Sequence, residues 1–526
     1  MSKLKKISRI RILLLGVLVL AFLFRFYHLT DWFAFGMDQE YEAFLAKNIV
    51  EGAHFPLIGV NAADTGLYLG PLFIYFSALP YLLFGGNPAG FAIFASSLGV
   101  MTTLVVFLVA KKMVNRRAAL LAAFFYAVSF LTSYYDRQYW NPMLMPLFSL
   151  LIGYFLYRSM TDNKKYLLAA AFFFGLGLHS HLSVWMLAPL ILFLTVKYKR
   201  HFGRKIIIWA VAVFLLLQLP LLLFELRHDF PNLKAFFSLL SQIRGGGLFA
   251  SFSDRIRLLF NTLGRFFWIP PRPDLFLENG QCRELTAFRK DAYPEIILLA
   301  LAGIGLFIKV AFHKMKSFFS HKRLLPDNLG LGIIGSVLLL GLAAVIFYPG
   351  AFFEYYLLWL LPYLAIILGV AVESLWRNED LVYLGATVCF MFLLGNVITL
   401  GTAFSSYSYT GKMAVLDYSQ KAVEQEEYSL EALGECPRFG GWRYLYEHYV
   451  GKPVHSYMDS YYDWLYYDRK QGNPGKIVLL SMIDPRLPNE LLVKWQESKL
   501  QFLTEFNILS DEIYENVHVF ILSPKK

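Results

Sequence analysis

Long apolar segments separated by short polar ones make up most of the chain. A bilayer core is spanned by about 20 apolar residues in an α-helix, so this pattern predicts a mainly α, polytopic bundle of about eleven transmembrane helices. A further apolar stretch, 71–84, is open to two interpretations, a crossing helix or one that lies flat. The predicted spans are 10–26, 89–110, 117–133, 143–159, 166–180, 182–197, 206–224, 294–312, 329–348, 355–373 and 381–402.

The distribution of Lys and Arg predicts the orientation of these helices. The alternate short loops carry almost no basic residues apart from Lys47 and Arg137. Because cytoplasmic loops are enriched in Lys and Arg, we predict the N-terminus inside and the C-terminus outside. This topology requires 71–84 not to cross. Basic residues are concentrated at 3–11, 111–117, 164–165, 197–205 and 314–323.

A long loop at 225–293 falls outside the membrane in this topology. Its segments 234–240 and 255–268 are amphipathic, and we predict that they form helices lying on the bilayer surface. The chain up to this loop and the apolar segments after it are assigned to one transmembrane domain, residues 1–403.

The tail, residues 404–526, has the composition of a soluble protein. Apolar β-prone runs at 477–481 and 517–522 predict strands, and 490–498 predicts a helix that leads into a strand near 500–509. We therefore predict a small extracytoplasmic α/β domain after the transmembrane domain.

The composition agrees with a membrane protein. Of the 526 residues, 57% are hydrophobic and only 17% are charged, against about 25% charged residues in soluble proteins. The formal net charge of +11 is explained by basic cytoplasmic loops, so a nucleic-acid partner is not predicted. The basic start of the chain precedes an apolar run without a small-residue cleavage site, and we interpret it as an uncleaved first helix.

The cysteines do not predict a metal site or a disulfide framework. Cys282, Cys389 and Cys436 lack metal-ligand spacing. Cys282 and Cys436 both fall outside the membrane in the predicted topology and are free to pair there, although nothing in their spacing favours it.

Five polar clusters, distant in sequence, fall on the outer side of the membrane in this topology. Ionisable residues next to a bilayer are costly unless they face water or a site. Their shared side therefore predicts a cavity at the outer leaflet for a polar, charged substrate. The clusters mix carboxylates, histidines, arginines and aromatic residues at 38–64, 134–142, 179–181, 225–229 and 348–356.

Each cluster also has a simpler explanation. The Asp-Arg pair at 136–137 has the form of an interfacial ion pair, and the two histidines at 179–181 are typical of a helix end. The charges at 225–229 are able to pair with one another, and Glu354 with its tyrosines is typical of the aromatic belt.

The first cluster carries three carboxylates within five residues, Asp38, Glu40 and Glu42. On an α-helix, Asp38 and Glu42 share a face because they are four residues apart, whereas Glu40 points away. The alternative is a solvated loop that only caps the following helix.

Short motifs follow one another in a specific order. The loop that begins Asp38-Gln39-Glu40-Tyr41 follows the first helix, and Tyr68-Leu-Gly70-Pro71 precedes Phe84-Gly85. Further motifs are Tyr139-Trp-Asn141-Pro142, His181 and Glu354-Tyr-Tyr. Over residues 8–400 this order resembles that of the GT-C membrane glycosyltransferases, in the branch of the protein O-mannosyltransferases and lipid A aminoarabinose transferases.

The resemblance implies an enzyme that transfers a sugar, with inversion, from a polyprenyl-phosphate carrier on the extracytoplasmic face of the cell membrane. It implies no metal and no other cofactor. The acceptor stays open between a lipid, a protein and a polysaccharide. The family usually has Asp-Glu where this chain has Asp38-Gln39, with an acid displaced to Glu40.

The resemblance also implies roles for individual residues. The leading acid of the loop, Asp38, is expected to be the catalytic base that takes the proton of the acceptor hydroxyl. From the clustering on one side of the membrane, Glu40 and Asp64 are expected to shape the acceptor site, and Arg137 or Arg227 is expected to stabilise the leaving phosphate. Arg137, His181, Arg227 and Tyr355 are expected to hold the donor phosphate or sugar, and Tyr68 and Glu354 are further expected substrate-binding residues.

Two other functions fit a polytopic membrane protein. A transporter or lipid flippase usually places ionisable groups near the midplane of repeated, broken helices. The predicted spans are nearly free of charge and no repeat is visible, which favours the glycosyltransferase. A scaffold that only presents the tail is the third interpretation.

Overall fold

The computed structural model is mainly helical, with a four-stranded sheet near the C-terminus. This architecture confirms the prediction of a mainly α protein that carries a small C-terminal sheet. The structure describes residues 2–62, 65–244, 252–270, 294–312, 326–347, 353–402, 408–434, 437–468, 472–482, 489–514 and 517–525.

Helices occupy the apolar segments of the N-terminal half. Short 3₁₀ turns at Asn141–Leu144 and Leu182–Leu187 lead into two of them. In chain order the helices are α1 (Ser2–Phe26), α2 (Leu29–Trp32), α3 (Met37–Val50), α4 (Leu72–Phe84), α5 (Pro88–Met113), α6 (Arg116–Val128), α7 (Phe130–Tyr135), α8 (Met145–Thr161), α9 (Tyr166–Ser180), α10 (Ala188–Lys197), α11 (Lys199–Phe202), α12 (Arg204–Leu217) and α13 (Leu219–Arg227).

The helical bundle continues after the predicted outer loop. A 3₁₀ turn at Glu354–Leu360 leads into one of its helices, and Ile308–Phe312 is a π-helical turn. The helices are α14 (Pro231–Arg244), α15 (Phe252–Phe267), α16 (Pro294–Phe307), α17 (Pro326–Phe347), α18 (Leu361–Trp376) and α19 (Val382–Thr402).

Several of these helices have the length and hydropathy of membrane spans. Within the described residues, α12 and α13 form one further candidate span, broken by a 54° bend. The 13-residue α4 is about 20 Å long at 1.5 Å per residue, less than the thickness of a bilayer core. The number of eleven spans and their orientation remain predictions. The helical stretches that are long and apolar enough to cross a membrane on their own are Pro88–Met113, Asn141–Thr161, Leu329–Ile346, Glu354–Trp376 and Glu379–Thr402.

Two surface helices were predicted in the 225–293 loop. For the second, 255–268, the prediction is wrong. In α15, Leu258, Leu263 and Phe266 are buried, and the helix packs against α16 and α17. Arg255 donates to the backbone oxygen of Ile346 at 3.0 Å. An amphipathic pattern has the same form whether its apolar face meets lipid or other helices, so the sequence alone did not distinguish these cases.

The tail folds around a mixed sheet with strand order β1-β2-β4-β3. Strands β1 and β2 are parallel, and the other two pairs are antiparallel. The predicted strands at 477–481 and 517–522 and the predicted helix at 490–498 are all present, while the strand expected near 500–509 begins later. The tail consists of α20 (Tyr409–Val423), β1 (Tyr428–Gly434), α21 (Trp442–Tyr449), β2 (Lys476–Met482), α22 (Asn489–Thr504), β3 (Phe506–Tyr514) and β4 (Val517–Pro524).

Helix α3 lies between the bundle and the tail. It packs against α4 on one side and against α21 on the other. At its start, Gln39 Oε1 accepts a hydrogen bond from Gly36 N at 2.9 Å, which satisfies one of the free N–H groups at this helix end. The glutamine that follows Asp38 therefore caps the helix.

Candidate functional site

Glu40 faces the tail. Its side chain is 2% exposed, and Oε2 accepts a hydrogen bond from Tyr444 N of α21 at 2.8 Å. Burial raises the pKa of Glu40 to about 7, although this hydrogen bond and the charges of Arg443 and Lys412 oppose the shift. Its contacts are thus those of a residue that attaches the tail, which differs from the expected role in shaping the acceptor site.

Glu42 faces the transmembrane bundle. Its side chain is completely buried, and Oε1 accepts a hydrogen bond from Asn141 N at 3.1 Å. Asp38 lies one helical turn earlier, and its charge acts on Glu42. The predicted division of the three acids between two helix faces is therefore correct.

Asp38 is the accessible acid of the three. It lies in the first turn of α3 and is partly exposed, whereas Glu40 and Glu42 are buried. The first turn of a helix favours a negative charge because its N–H groups point towards it. Asp38 therefore lies at a helix start that favours its charge, with part of its surface accessible.

The Tyr139-Trp-Asn motif connects α3 with two other predicted clusters. Asn141 Nδ2 donates to Ser180 O at 2.6 Å, and Ser180 Oγ donates to Asn141 O. The ring of Trp140 lies 4.8 Å from that of Tyr355. The structure therefore brings the clusters at 38–42, 139–141, 179–181 and 354–356 together.

His181 and Tyr355 are adjacent, as expected for two residues of one site. Their ring centroids are 5.6 Å apart, and the His181 ring also lies 5.1 Å from that of Tyr356. His181 Nδ1 accepts a hydrogen bond from Ser183 N at 3.1 Å, which caps the following turn.

Glu354 is buried against Arg265, a cation that is not among the residues predicted for the site. Its Oε1 accepts a hydrogen bond from the Tyr135 hydroxyl at 3.0 Å, and its Oε2 lies 3.4 Å from Nη1 of Arg265. Arg265 is 1% exposed and belongs to α15. The sequence feature that indicates a buried Arg265 is its position between apolar residues in Leu263-Gly-Arg-Phe-Phe-Trp, where a surface arginine is unusual.

Arg137 is held by the end of α1, and its expected role in binding the donor remains a prediction. Its guanidinium is fully buried and donates to the backbone oxygens of Phe24, Arg25 and Tyr27. These are carbonyls at the end of α1, where a helix leaves oxygens without intrahelical partners. Asp136 pairs instead with Arg25 at 2.7 Å.

The remaining expected ligands lie at the periphery or outside the described residues. Tyr68 N donates to Asn232 Oδ1 at 2.8 Å, and the Tyr68 ring is 5.9 Å from Phe224. Arg227 is exposed at the end of α13. Asp64, Cys282 and Cys436 fall outside the described residues, so their predicted roles are not tested.

A small apolar cavity lies between α15, α16, α17 and α18. Leu263 and Phe267 line it, and both are two residues from Arg265 on the helix. Because residues two apart point to opposite sides of a helix, the cavity and the Arg265–Glu354 pair lie on different sides of α15. The cavity is therefore not part of the cluster around Trp140.

Comparison with known proteins identifies the fold. The family model for dolichyl-phosphate-mannose-protein mannosyltransferase matches residues 69–224. ArnT from Cupriavidus metallidurans, solved bound to undecaprenyl phosphate, matches with a TM-score of 0.58 and 12% identity over 98% of each chain. The chain has the GT-C fold of membrane glycosyltransferases.

A second GT-C structure agrees with this assignment. AglB, the oligosaccharyltransferase of Archaeoglobus fulgidus, was solved with an inhibitory peptide and a dolichol-phosphate. It matches with a TM-score of 0.53 and 11% identity, over 98% of this chain and 74% of that chain. A search of curated protein sequences gives no match.

The match to the family model begins at residue 69, after the end of α3. The region that matches the family model contains the Tyr139-Trp-Asn motif and His181 but ends before Arg265 and Glu354. Within the described residues, no group of three or more His, Cys, Asp or Glu side chains is arranged to hold a metal ion. The described polar groups around Trp140 include the carboxyl group of Glu354, the buried Arg265 and the imidazole of His181.

Proposed function

We propose that this protein transfers a sugar from a polyprenyl-phosphate carrier to an extracytoplasmic acceptor, with inversion, and that Asp38 is the catalytic base. The observation that carries the proposal is the different burial of the three acids on α3. Asp38 is partly exposed at the junction of bundle and tail, while Glu40 and Glu42 are buried by partners of their own.

The proposed reaction is a single displacement at the anomeric carbon. The acceptor oxygen attacks from the side opposite the phosphate, and the bond between the anomeric carbon and the phosphate oxygen breaks. Asp38 takes the acceptor proton, and polyprenyl phosphate leaves with the bonding electrons. General-base catalysis of this kind contributes about 10²–10⁴ to a rate.

Arg265 is the cation that we assign to the leaving phosphate, in place of Arg137. A planar guanidinium matches phosphate oxygens, and in a buried site its charge acts strongly on a developing anion. Glu354 holds Arg265 from one side, and Tyr135 holds Glu354. The donor sugar would then lie near Tyr355 and His181, which the Trp140 ring joins to this pair.

The acceptor is assigned to the side of α3 that meets the tail. Tyr462 donates a hydrogen bond to Met37 Sδ at 3.4 Å, next to Asp38. The Tyr41 ring lies 5.6 Å from Tyr462 and 6.0 Å from Trp464, and Trp464 is 53% exposed. Exposed aromatic rings with polar edges suit a carbohydrate or a peptide acceptor.

A direct assay of donor turnover tests the proposal. The purified full chain in liposomes is incubated with polyprenyl-phosphate sugars and a panel of peptide, lipid and polysaccharide acceptors, and released polyprenyl phosphate is measured by mass spectrometry. We expect release that depends on one acceptor class. Movement of the intact donor between leaflets without release would establish the flippase alternative instead.

A further inference from the structure

The buried carboxyl group of Glu42 is only half satisfied. Oε1 accepts the Asn141 N–H, whereas Oε2 has no hydrogen-bond partner among the described residues. The side chain has no exposed surface at all. An ionised carboxylate in such a place usually needs a cation or several donors, because leaving its charge without them is very costly.

Among the described residues, two cations beside this part of α3 lie on its other side. Lys412 and Arg443 act on Glu40, two residues before Glu42 and on the opposite face. The groups that interact electrostatically with Glu42 are Asp38 and two tyrosines, Tyr41 and Tyr139. Of these, Asp38 favours the neutral form of Glu42, and the tyrosines supply no positive charge.

Asp38 is the candidate partner for a proton on Glu42 Oε2. Residues four apart on a helix have Cβ atoms about 5–6 Å apart, so two acidic side chains of this length are able to share a hydrogen bond. Two carboxylates at this spacing would instead repel each other. Since Oε1 already accepts from Asn141 N, a proton on Glu42 is expected on Oε2.

We propose that Glu42 is a neutral carboxylic acid that positions the Asp38 carboxylate by donating a hydrogen bond from Oε2. Glu42 keeps its own proton during the reaction and touches no reacting atom, so it is a positioning residue. The assignment rests on the proposed function of Asp38.

The electrostatics agree with this geometry. Burial raises the pKa of Glu42 well above its ordinary value, and the charge of Asp38 raises it further, against the effect of the Asn141 N–H. The two acids then titrate as a pair that shares one proton over the working pH range. The rate is expected to fall at acid pH when the pair becomes neutral, and at alkaline pH when Glu42 loses its proton.

The first test observes the proton without using the transfer reaction. Infrared spectra of the full chain are recorded at about pH 8, above the pKa of about 7 of Glu40 and the ordinary range of carboxyl groups. We expect a neutral-carboxyl C=O band that Glu42→Gln removes and Asp38→Asn shifts. Absence of such a band, or its persistence in Glu42→Gln, would overturn the inference whether or not the protein transfers sugar.

The second test uses the pH dependence of transfer. Glu42→Gln replaces the O–H donor by an N–H donor, so we expect it to retain most of the rate and to lose the alkaline fall. Glu42→Ala removes the donor and is expected to lower kcat about tenfold with little change in KM, the value of one hydrogen bond. An alkaline fall that persists in Glu42→Gln would contradict the inference.

A matched control separates this effect from a general change of charge on α3. Glu51→Gln removes an exposed acid just after the same helix, where it accepts from the Tyr467 hydroxyl. It should leave both the infrared band and the alkaline limb unchanged. If Glu42→Gln abolishes transfer at every pH, as expected for Asp38→Asn, Glu42 acts as an anion and the inference is wrong.

Discussion

Glu40 and Glu42 are two residues apart on one helix, yet they accept hydrogen bonds from opposite parts of the molecule. Tyr444 N of the tail donates to Glu40 at 2.8 Å, and Asn141 N of the bundle donates to Glu42 at 3.1 Å. Helix α3 is thereby fixed on both sides. Asp38, at its first turn, is held at the junction without being buried itself.

Replacing Asp38 by Asn should abolish most of the transfer. The amide has the same shape but does not accept the acceptor proton, so we expect a fall in kcat of about 10²–10⁴. Donor binding, measured by titration with polyprenyl phosphate, should change little. A rate close to that of the wild type would show that another group is the base.

Replacing Arg265 by Gln should weaken both donor binding and the chemical step. The variant loses the positive charge that we assign to the leaving phosphate, and a reduction of about 10²–10³ in kcat is expected. Arg265→Lys should recover only part of the lost kcat, because an ammonium group does not contact two oxygens in a plane. Unchanged phosphate-lipid affinity in both variants would exclude this role.

Replacing Arg137 by Gln should affect stability and leave the chemistry intact. The loss of buried charged hydrogen bonds to three backbone oxygens at the end of α1 is expected to cost about 3 kcal/mol. Thermal unfolding in detergent measures this effect. The transfer rate per folded molecule at low temperature should stay near that of the wild type, in contrast to Arg265→Gln.

The attachment of the tail should weaken as the pH rises through about 7. Burial raises the pKa of Glu40 to about 7 from 4.5, so the folded state binds its proton more tightly than the unfolded chain. A raised carboxyl pKa makes folding more favourable at low pH, and about 3 kcal/mol of this contribution is lost by the time Glu40 is ionised.

Thermal unfolding measured across this pH range checks the effect. The midpoint of the wild type should fall between about pH 5 and pH 8. Glu40→Gln cannot ionise and should show a flatter dependence. An identical slope in the two proteins would mean that Glu40 does not control the transition.

Replacing Trp464 by Ala should raise the KM for the acceptor. The ring is half exposed beside Tyr41 and Tyr462, and loss of one aromatic contact of about 1.4 kcal/mol corresponds to a tenfold change in affinity. The KM for the donor should be unaffected, and Trp464→Phe should retain most of the wild-type affinity for the acceptor. An equal change in both KM values would place the ring outside the acceptor site.

Local patterns were sufficient for the helical elements and for part of the site. The apolar segments predicted the helices, the apolar β-prone runs at 477–481 and 517–522 predicted β2 and β4, and the four-residue spacing of Asp38 and Glu42 predicted their common face. These properties depend on the helical and strand periods, which a stretch of sequence expresses by itself. The predicted neighbourhood of His181 and Tyr355 depended on the family resemblance.

Partners distant in sequence were decided only by the tertiary structure. Arg137 and Arg265 are both buried, yet one donates to a carbonyl at the end of α1 and the other pairs with Glu354. Glu40 meets Tyr444 across 404 positions and Glu42 meets Asn141 across 99. The sequence determined which side chains carry charge and which face of a helix they share. Which of them are buried against a partner depends on long-range packing, and no local period encodes it.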